Sequence, residues 1–431
     1  MMHDMCLINP PHPELVNPHA QDALGLLYLA AIVEQNGQRV KIINLSGAGR
    51  NPADWTLPPA GAYGITGTFL DIAMVNAVAE EVRRLYPLAP ILVGGPVALS
   101  AEELHRNRIN CIVKGEAENA IMYLLDKIKH DSHVFHKADA PPDLDDLPLP
   151  ARHLWPGSTG GDIFIEGHNY FGGGTTTILT SRGCPYKCGF CASPALVSRK
   201  IRMRSAASVV AELEACVRDF GIHQFRFSDE HFTAGRDHAI EVCRGIMRSR
   251  ILEHGDAIAW RASVGVRPND LDLFQMMRGG GCREISFGVE SADPAVLDMI
   301  CRKGGPADAK AAIQNARAAG MKTKALMMVG TPGETKETMI HNLRFIRTGQ
   351  FDAVAITIFT PIPGSDIWEN PGKYKCEIRA GAIRGLCLYD KSGRRRIEPT
   401  IDVEGISFEG LSEQMQAVVT AAECINKIGR G

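Results

Sequence analysis

Read from the N-terminus, short apolar runs alternate with longer stretches whose apolar residues recur every three or four positions. MCLINPP (5–11) is a strand-like run stopped by prolines. ALGLLYLAAIVEQNG (23–37) has helical apolar spacing and a glycine stop. RVKIINL (39–45), AGAYGITGT (60–68), APILVGG (89–95) and NCIVKGEAE (110–118) read as strands, and IAMVNAVAEEVRRLYP (72–87) and NAIMYLLDKI (119–128) as helices. Strands in regular alternation with helices predict a doubly wound parallel sheet, α/β in class. Ligands of such sheets sit beyond the carboxyl ends of the strands. Here those ends carry Asn9-Pro10-Pro11, Thr66-Gly67-Thr68 and Gly94-Gly95-Pro96. Tight strand-to-helix turns explain these glycines on pattern alone; close backbone approach to a ligand is the other reading.

KADAPPDLDDLPLPARHLWPG (137–157) interrupts the alternation with prolines and acids, and predicts a semi-rigid extended connector. The alternation then resumes from TTTILTSRG (175–183), through the strands 223–233, 257–268, 282–291, 321–335 and 353–365 and the helices 205–221, 239–251, 271–281, 309–320 and 338–349. That makes about six parallel βα units. Beyond residue 366 the pattern loosens until one good helix, LSEQMQAVVTAAECINKI (411–428), which is expected to close the open end of the second sheet. The organisation predicted is a first domain over 1–136, a linker over 137–170, a second domain over 171–366 and an extension over 367–431.

Composition narrows the function classes. The 431 residues are 45% hydrophobic and 22% charged with net charge −2, so no broad basic surface points to nucleic acid. Arg394-Arg395-Arg396 reads as a solvated turn. No apolar run approaches the ~18–20 residues that span a bilayer, and MMHDMCLINPP does not read as a secretory leader. Twelve cysteines in such a chain fit a reducing compartment, and the expectation is a cytoplasmic protein.

SRGCPYKCGFCASP (181–194) concentrates the chemistry. Cys184, Cys188 and Cys191 have three and two residues between them. Three thiolates at this spacing can hold three irons of a cubane cluster and leave the fourth open. Zinc is the rival, but it wants paired spacing and four ligands, and no partner C-x-x-C exists elsewhere. The other cysteines (6, 111, 216, 243, 282, 301, 376, 387, 424) read as small buried hydrophobes. CPYKCGFC, with an aromatic before its last cysteine, resembles the signature of the radical S-adenosylmethionine (SAM) superfamily. LINPP, LGLLYLAAIVEQNG, GIT, ILVGGP and IVKGEAE resemble, in that order, the cobalamin-binding-type domain that precedes many of these enzymes.

The resemblance implies a Rossmann-like, cobalamin-binding-type domain, then a partial (β/α)6 TIM-type barrel and a small C-terminal extension. It implies a 4Fe-4S cluster on the three cysteines, SAM on the open iron, cobalamin in those members that carry it, and an external one-electron reductant of flavodoxin or ferredoxin type. No D-x-H-x-x-G is present, and His12 and His19 are the histidines of the first loop. Asn9, Thr66, Gly94 and Gly95 are the candidate contacts of the first domain. In the barrel, Phe190 would lie beside the adenine. Asp229 and Glu230 replace the usual Gly-Gly-Glu or Asp-Asp near the SAM amino group, with helix capping the plain alternative for Glu230. Glu290 and Ser291 match a segment meeting the ribose or methionine part. Arg261 is a carboxylate binder or a salt-bridge partner, Arg302-Lys303 reach toward the cofactor carboxylate, and Gly330 and Gly333 shape a turn. Glu230 and His231 are the candidates for proton transfer. Two reactions on a small natural-product-type substrate compete: cobalamin-dependent C-methylation, and cobalamin-free chemistry such as dehydration of a 1,2-diol in an aminoglycoside. A non-catalytic electron-transfer or sensor protein would want a fully ligated cluster, which three cysteines do not give.

Overall fold

The structure, a computed structural model, describes residues 2–12, 22–128, 134–141, 143–156, 164, 170–171, 174–249, 251, 258–267, 269–379 and 399–428. His19, Cys387 and Arg394–Arg396 lie outside these described residues. The chain forms two compact units, residues 1–161 with 195–197, and residues 162–194 with 198–431.

The first unit is a parallel sheet of β1 (His3–Asn9), β2 (Val40–Asn44), β3 (Ala60–Ile65), β4 (Ile91–Val93), β5 (Cys111–Lys114) and β6 (Val134–Lys137), in the order β2-β1-β3-β4-β5-β6. Its helices are α1 (Leu24–Gln35), α2 (Ile72–Leu85) and α3 (Ile121–Lys127). Strand order reverses between β1 and β3, which places the switch-point crevice beyond Asn9 and Ile65. Two features depart from the sequence expectation. β6 was not foreseen, because a four-residue VFHK carries no alternation. The proline-rich segment is not a free connector: Leu144 and Ala151 are buried, and Ala151 N donates to Leu27 O of α1 at 3.1 Å. An α1 buried along most of its length explains this. A helix apolar nearly all round needs cover on more than one side, and the segment provides it.

The second unit begins with β7 (Thr175–Ile178) and β8 (Ser181–Arg182); after α4 (Ser193–Leu196), whose last two residues group with the first unit, it resumes with β9 (Arg202–Met203), α5 (Ala206–Phe220), β10 (Gln224–Phe227), α6 (Arg236–Arg248) and β11 (Ala259–Val264). It continues through α7 (Leu271–Gly279), β12 (Cys282–Glu290), α8 (Pro294–Met299), α9 (Pro306–Ala318), β13 (Lys322–Val329), α10 (Lys336–Thr348) and β14 (Ala353–Ile358). The parallel order β14-β13-β12-β11-β10-β7 makes the six-stranded partial barrel. Helix starts follow from capping: Ser205, Asp270, Asp293 and Thr335 each accept a backbone N–H of the following turn. Between strands and helices, Phe227 stacks on Trp260 at 4.4 Å and Phe232 meets Trp260 edge-on at 5.4 Å.

The predicted strands 175–183 and 223–233 both end early. β7 stops at Ile178 and β10 at Phe227, because the side chain of Asp229 draws the Thr180–Ser181 backbone out of the ladder. The extension comprises α11 (Asp366–Glu369), an antiparallel pair β15 (Cys376–Ile378) with β16 (Ile401–Val403), and α12 (Phe408–Ile428). α12 covers edge strand β14. Asn426 brackets Val354, accepting from its N–H at 2.9 Å and donating to its carbonyl at 2.7 Å, which satisfies an otherwise open edge.

Candidate functional site

The three cysteines lie on the loop between β8 and α4, half-buried and unbridged. The loop is fixed at four points. Asp229 Oδ1 accepts from Thr180 N at 3.1 Å, Thr180 Oγ1 at 2.8 Å, Ser181 Oγ at 2.7 Å and Ser181 N. Glu230 Oε2 accepts from Gly183 N at 3.1 Å. Gly183 has φ +99°, and a Cβ there would stand 2.4 Å from Lys200 O, so only glycine fits before Cys184. Gly189 N donates to Ile300 O at 2.8 Å, and Gly189 O accepts from Ile367 N at 2.9 Å. A Cβ on Gly189 would meet the Tyr374 hydroxyl at 2.6 Å. Burial pushes the Asp229 and Glu230 carboxyls above their ordinary range, against these hydrogen bonds. Both acids of the predicted pair thus hold the cysteine loop in shape. Phe190 is half-buried against the barrel core.

Above this loop sits a compact charged group. Arg302 Nη1 lies 3.7 Å from Cys188 Sγ, Arg302 Nη2 donates to Gly288 O at 2.6 Å, and Glu290 Oε1 is 3.9 Å from Nη2. Burial opposes the charge of Arg302, but Glu290 and the Cys188 sulfur outweigh it and hold the guanidinium above its usual range. Burial raises Cys184 and Cys188, and Arg302 pulls Cys188 back. Glu290 ends β12 at φ +65°, a rare conformation for a non-glycine residue. Burial raises its carboxyl, with Arg302 countering. His231 is buried, with its ring 5.3 Å from that of Tyr186 and its Nδ1 without a partner among the described residues. Burial, then Arg302, bring it down to about 4, so the imidazole is neutral at ordinary pH.

Other candidates sit elsewhere. Arg261 is third along β11, in register with Arg226 and Glu284. Burial lowers its guanidinium while Glu284 counters. The Ser291 hydroxyl donates to Asn342 Oδ1 and accepts from Asp293 N, both at 3.2 Å, so it serves the turn into α8. Gly330 and Gly333 have φ +81° and +83°. Their turn is tied by Glu334, a residue the sequence reading passed over. Its Oε2 accepts from Gly330 N at 2.5 Å and Thr331 N at 3.1 Å, and burial pushes it up to about 8. Tyr374 was also missed, since nothing local in the tail marks it as a support for a loop so far upstream.

In the first unit, a cavity of about 140 Å3 opens at the strand ends, lined by Leu7, Leu26, Gly64, Thr66, Gly95 and Ile121 among others. Gly94 lines it too. Gly95 has φ +81°, and a Cβ there would meet Thr66 Oγ1 at 2.7 Å. Asn9 lies at the same edge, donating to Asn44 Oδ1 at 2.9 Å. His12 Nδ1 pairs with Asp71 Oδ1 at 2.7 Å and Nε2 faces Asn9 Oδ1 at 3.3 Å. Burial works against Asp71, yet His12 and Thr68 hold its carboxyl below the usual range. An apolar, glycine-rimmed hollow at the switch-point end lies where sheets of this kind take their ligands.

Known proteins match this plan. The radical SAM superfamily model matches residues 178–346. An uncharacterized methyltransferase of Pyrococcus horikoshii is 28% identical over 370 residues, which cover 80% of this chain and 77% of that protein. Cytidylyl-2-hydroxyethylphosphonate methyltransferase of Streptomyces wedmorensis is 23% identical over 427 residues, covering 81% and 78%. The solved structure of the radical SAM methyltransferase TsrM from Kitasatospora setae, with cobalamin and a 4Fe-4S cluster bound, superposes with a TM-score of 0.69 at 19% identity, covering 97% of this chain and 91% of that one. The family's cofactors are a 4Fe-4S cluster and SAM, and three clustered thiolates are the donors such a cluster takes. Residues 178–346 are a radical S-adenosylmethionine domain, and the chain as a whole has the fold of TsrM, an N-terminal Rossmann-like sheet followed by a partial barrel.

Proposed function

We propose that this enzyme is a cobalamin-dependent C-methyltransferase acting on a small substrate. The apolar cavity rimmed by Gly94 and Gly95 carries the reading, because a glycine-lined hollow at the switch point is where the first unit would take a corrinoid. Cys184, Cys188 and Cys191 would hold the cluster. When bound, the reduced cluster with SAM supplies hydrogen-atom abstraction at an unactivated carbon, and methylcobalamin supplies the methyl group. The chain's own residues bind and position. Asp229 and Glu230 set the loop, Phe190 offers an aromatic face for the adenine, and Glu334 fixes the 330–334 turn. His231 would stay neutral beside Arg302 and remains the candidate for proton transfer. Electrons come from a flavodoxin- or ferredoxin-type donor in the cytoplasm.

The test is anaerobic reconstitution with iron and sulfide, then hydroxocobalamin, desalting and an absorption spectrum. Near-stoichiometric cobalamin is expected, followed by S-adenosylhomocysteine and a methylated product. A cluster spectrum without cobalamin would sink the methyl-transfer reading and favour a cobalamin-free reaction such as diol dehydration. Changing any one of Cys184, Cys188 and Cys191 to Ala should abolish 5′-deoxyadenosine formation; undiminished formation would overturn the cluster assignment.

A further inference from the structure

From the sequence, Arg302 is expected only to reach toward a cofactor carboxylate. The structure lays its guanidinium against a cluster-ligand cysteine. Three observations converge there. Nη1 is 3.7 Å from Cys188 Sγ, and Nη2 is anchored at 2.6 Å on Gly288 O. The space it occupies exists because Gly288 has no side chain. A Cβ on Gly288 would stand 2.7 Å from Arg302 Nη2, and one on Gly265 would stand 3.6 Å from it and 2.8 Å from His231 Nε2. The backbone is bent to the same end: Cys301, the residue before it, has φ +55°, and Glu290 opposite has φ +65°. Non-glycine residues hold such conformations only where their surroundings impose them. Arg302 is thus a fixed, largely buried positive charge in contact with the Cys188 sulfur.

We infer that Arg302 sets the reduction potential of the cluster, holding it within reach of the donor by stabilising the extra negative charge of the reduced state. This rests on the assignment of Cys188 as a ligand. Arg302 is a positioning residue of electrostatic kind, since it acts through the Cys188 sulfur. Hydrogen bonds and charge at the sulfurs are established levers on cluster potentials. The charge is buried, so solvent screens it weakly. It also cannot be lost by deprotonation, since a guanidinium stays protonated.

The experiment is a spectroelectrochemical titration of the reconstituted enzyme without SAM, following the reduced cluster by electron paramagnetic resonance. Iron and sulfide content are measured alongside. Arg302→Gln should assemble its cluster yet shift the reduction equilibrium about tenfold toward the oxidised form, about 59 mV for a one-electron couple. Arg302→Lys, which keeps the charge, should lie nearer the wild type. If Arg302→Gln loses its cluster, Gly288→Ala serves instead, because its Cβ displaces the guanidinium while leaving the charge on the chain. It should move the potential the same way by less. A loaded variant with an unchanged potential overturns the inference. Weakened SAM binding at unchanged potential overturns it equally and returns Arg302 to the cofactor carboxylate. Absence of any cluster in the wild-type enzyme is a failure of the family-based site assignment, read from iron content and not from the potential.

Discussion

Asp229 offers the sharpest test of how the cysteine loop is built. Its Oδ1 accepts two backbone N–H groups and two hydroxyls from Thr180 and Ser181. In Asp229→Ala the hydroxyls can rotate toward other acceptors, but the two buried N–H groups cannot. Each orphaned donor costs about 1–3 kcal/mol, so the loss should be on the order of 4 kcal/mol. For a unit of this size that lowers the melting temperature by about 10 °C, at roughly 2–4 °C per kcal/mol. Asp229→Asn keeps an oxygen at the same position and should cost about 1 kcal/mol. The assay is anaerobic thermal and urea unfolding followed by circular dichroism, with iron content measured after reconstitution. The alanine variant should also load less iron, because the Thr180–Ser181 turn launches the loop. If it unfolds within about 1 kcal/mol of the wild type and loads normally, the claim that Asp229 shapes the loop is refuted.

Other perturbations have equally definite outcomes. Gly189→Ala places a methyl 2.6 Å from the Tyr374 hydroxyl, so it should destabilise by about 1–3 kcal/mol and lower cluster content; full loading would contradict the packing described. Glu334 is held protonated up to about 8 in the fold and ionises near its ordinary 4.5 when unfolded. Unfolding therefore releases a proton between these values, and stability should fall as pH rises through that window, by up to about 5 kcal/mol. Glu334→Gln keeps the acceptor for Gly330 and Thr331 and should flatten the profile; an unchanged slope in urea titrations would contradict the assignment. Gly95→Ala forces a side chain into φ +81° and against Thr66, so cobalamin retention should drop while the circular dichroism spectrum stays the same. Full retention would remove Gly95 from the site.

What could be read ahead of the structure follows from range along the chain. The alternation of strands and helices is local, and both sheets stand as the pattern implied. The cysteine trio is also local, so its spacing carried the chemistry. Asp229 and Glu230 were recognised as a pair but expected at the cofactor. Their partners, Thr180, Ser181 and Gly183, follow β7 as they themselves follow β10, and only the pairing of those two strands brings the segments together. Ser291 was placed near a ligand, while its bonds to Asn342 and Asp293 serve a turn. Cys301 is half-buried and Cys424 exposed, so neither is the fully buried apolar filler expected of the scattered cysteines. Glu334 and Tyr374 act at a distance through backbone groups, a role that leaves no signature in residue type.

The bond from Ile367 N to Gly189 O has a consequence for how the enzyme is made. The cysteines leave the ribosome long before Ile367 and Tyr374 exist, so the nascent loop lacks two of the supports that later fix Gly189. Iron delivered at that stage would meet thiols on a half-built mount, open to oxidation and to stray metals. The mount that fixes Gly189 is therefore complete only once the chain through Tyr374 has been made and folded back onto the loop.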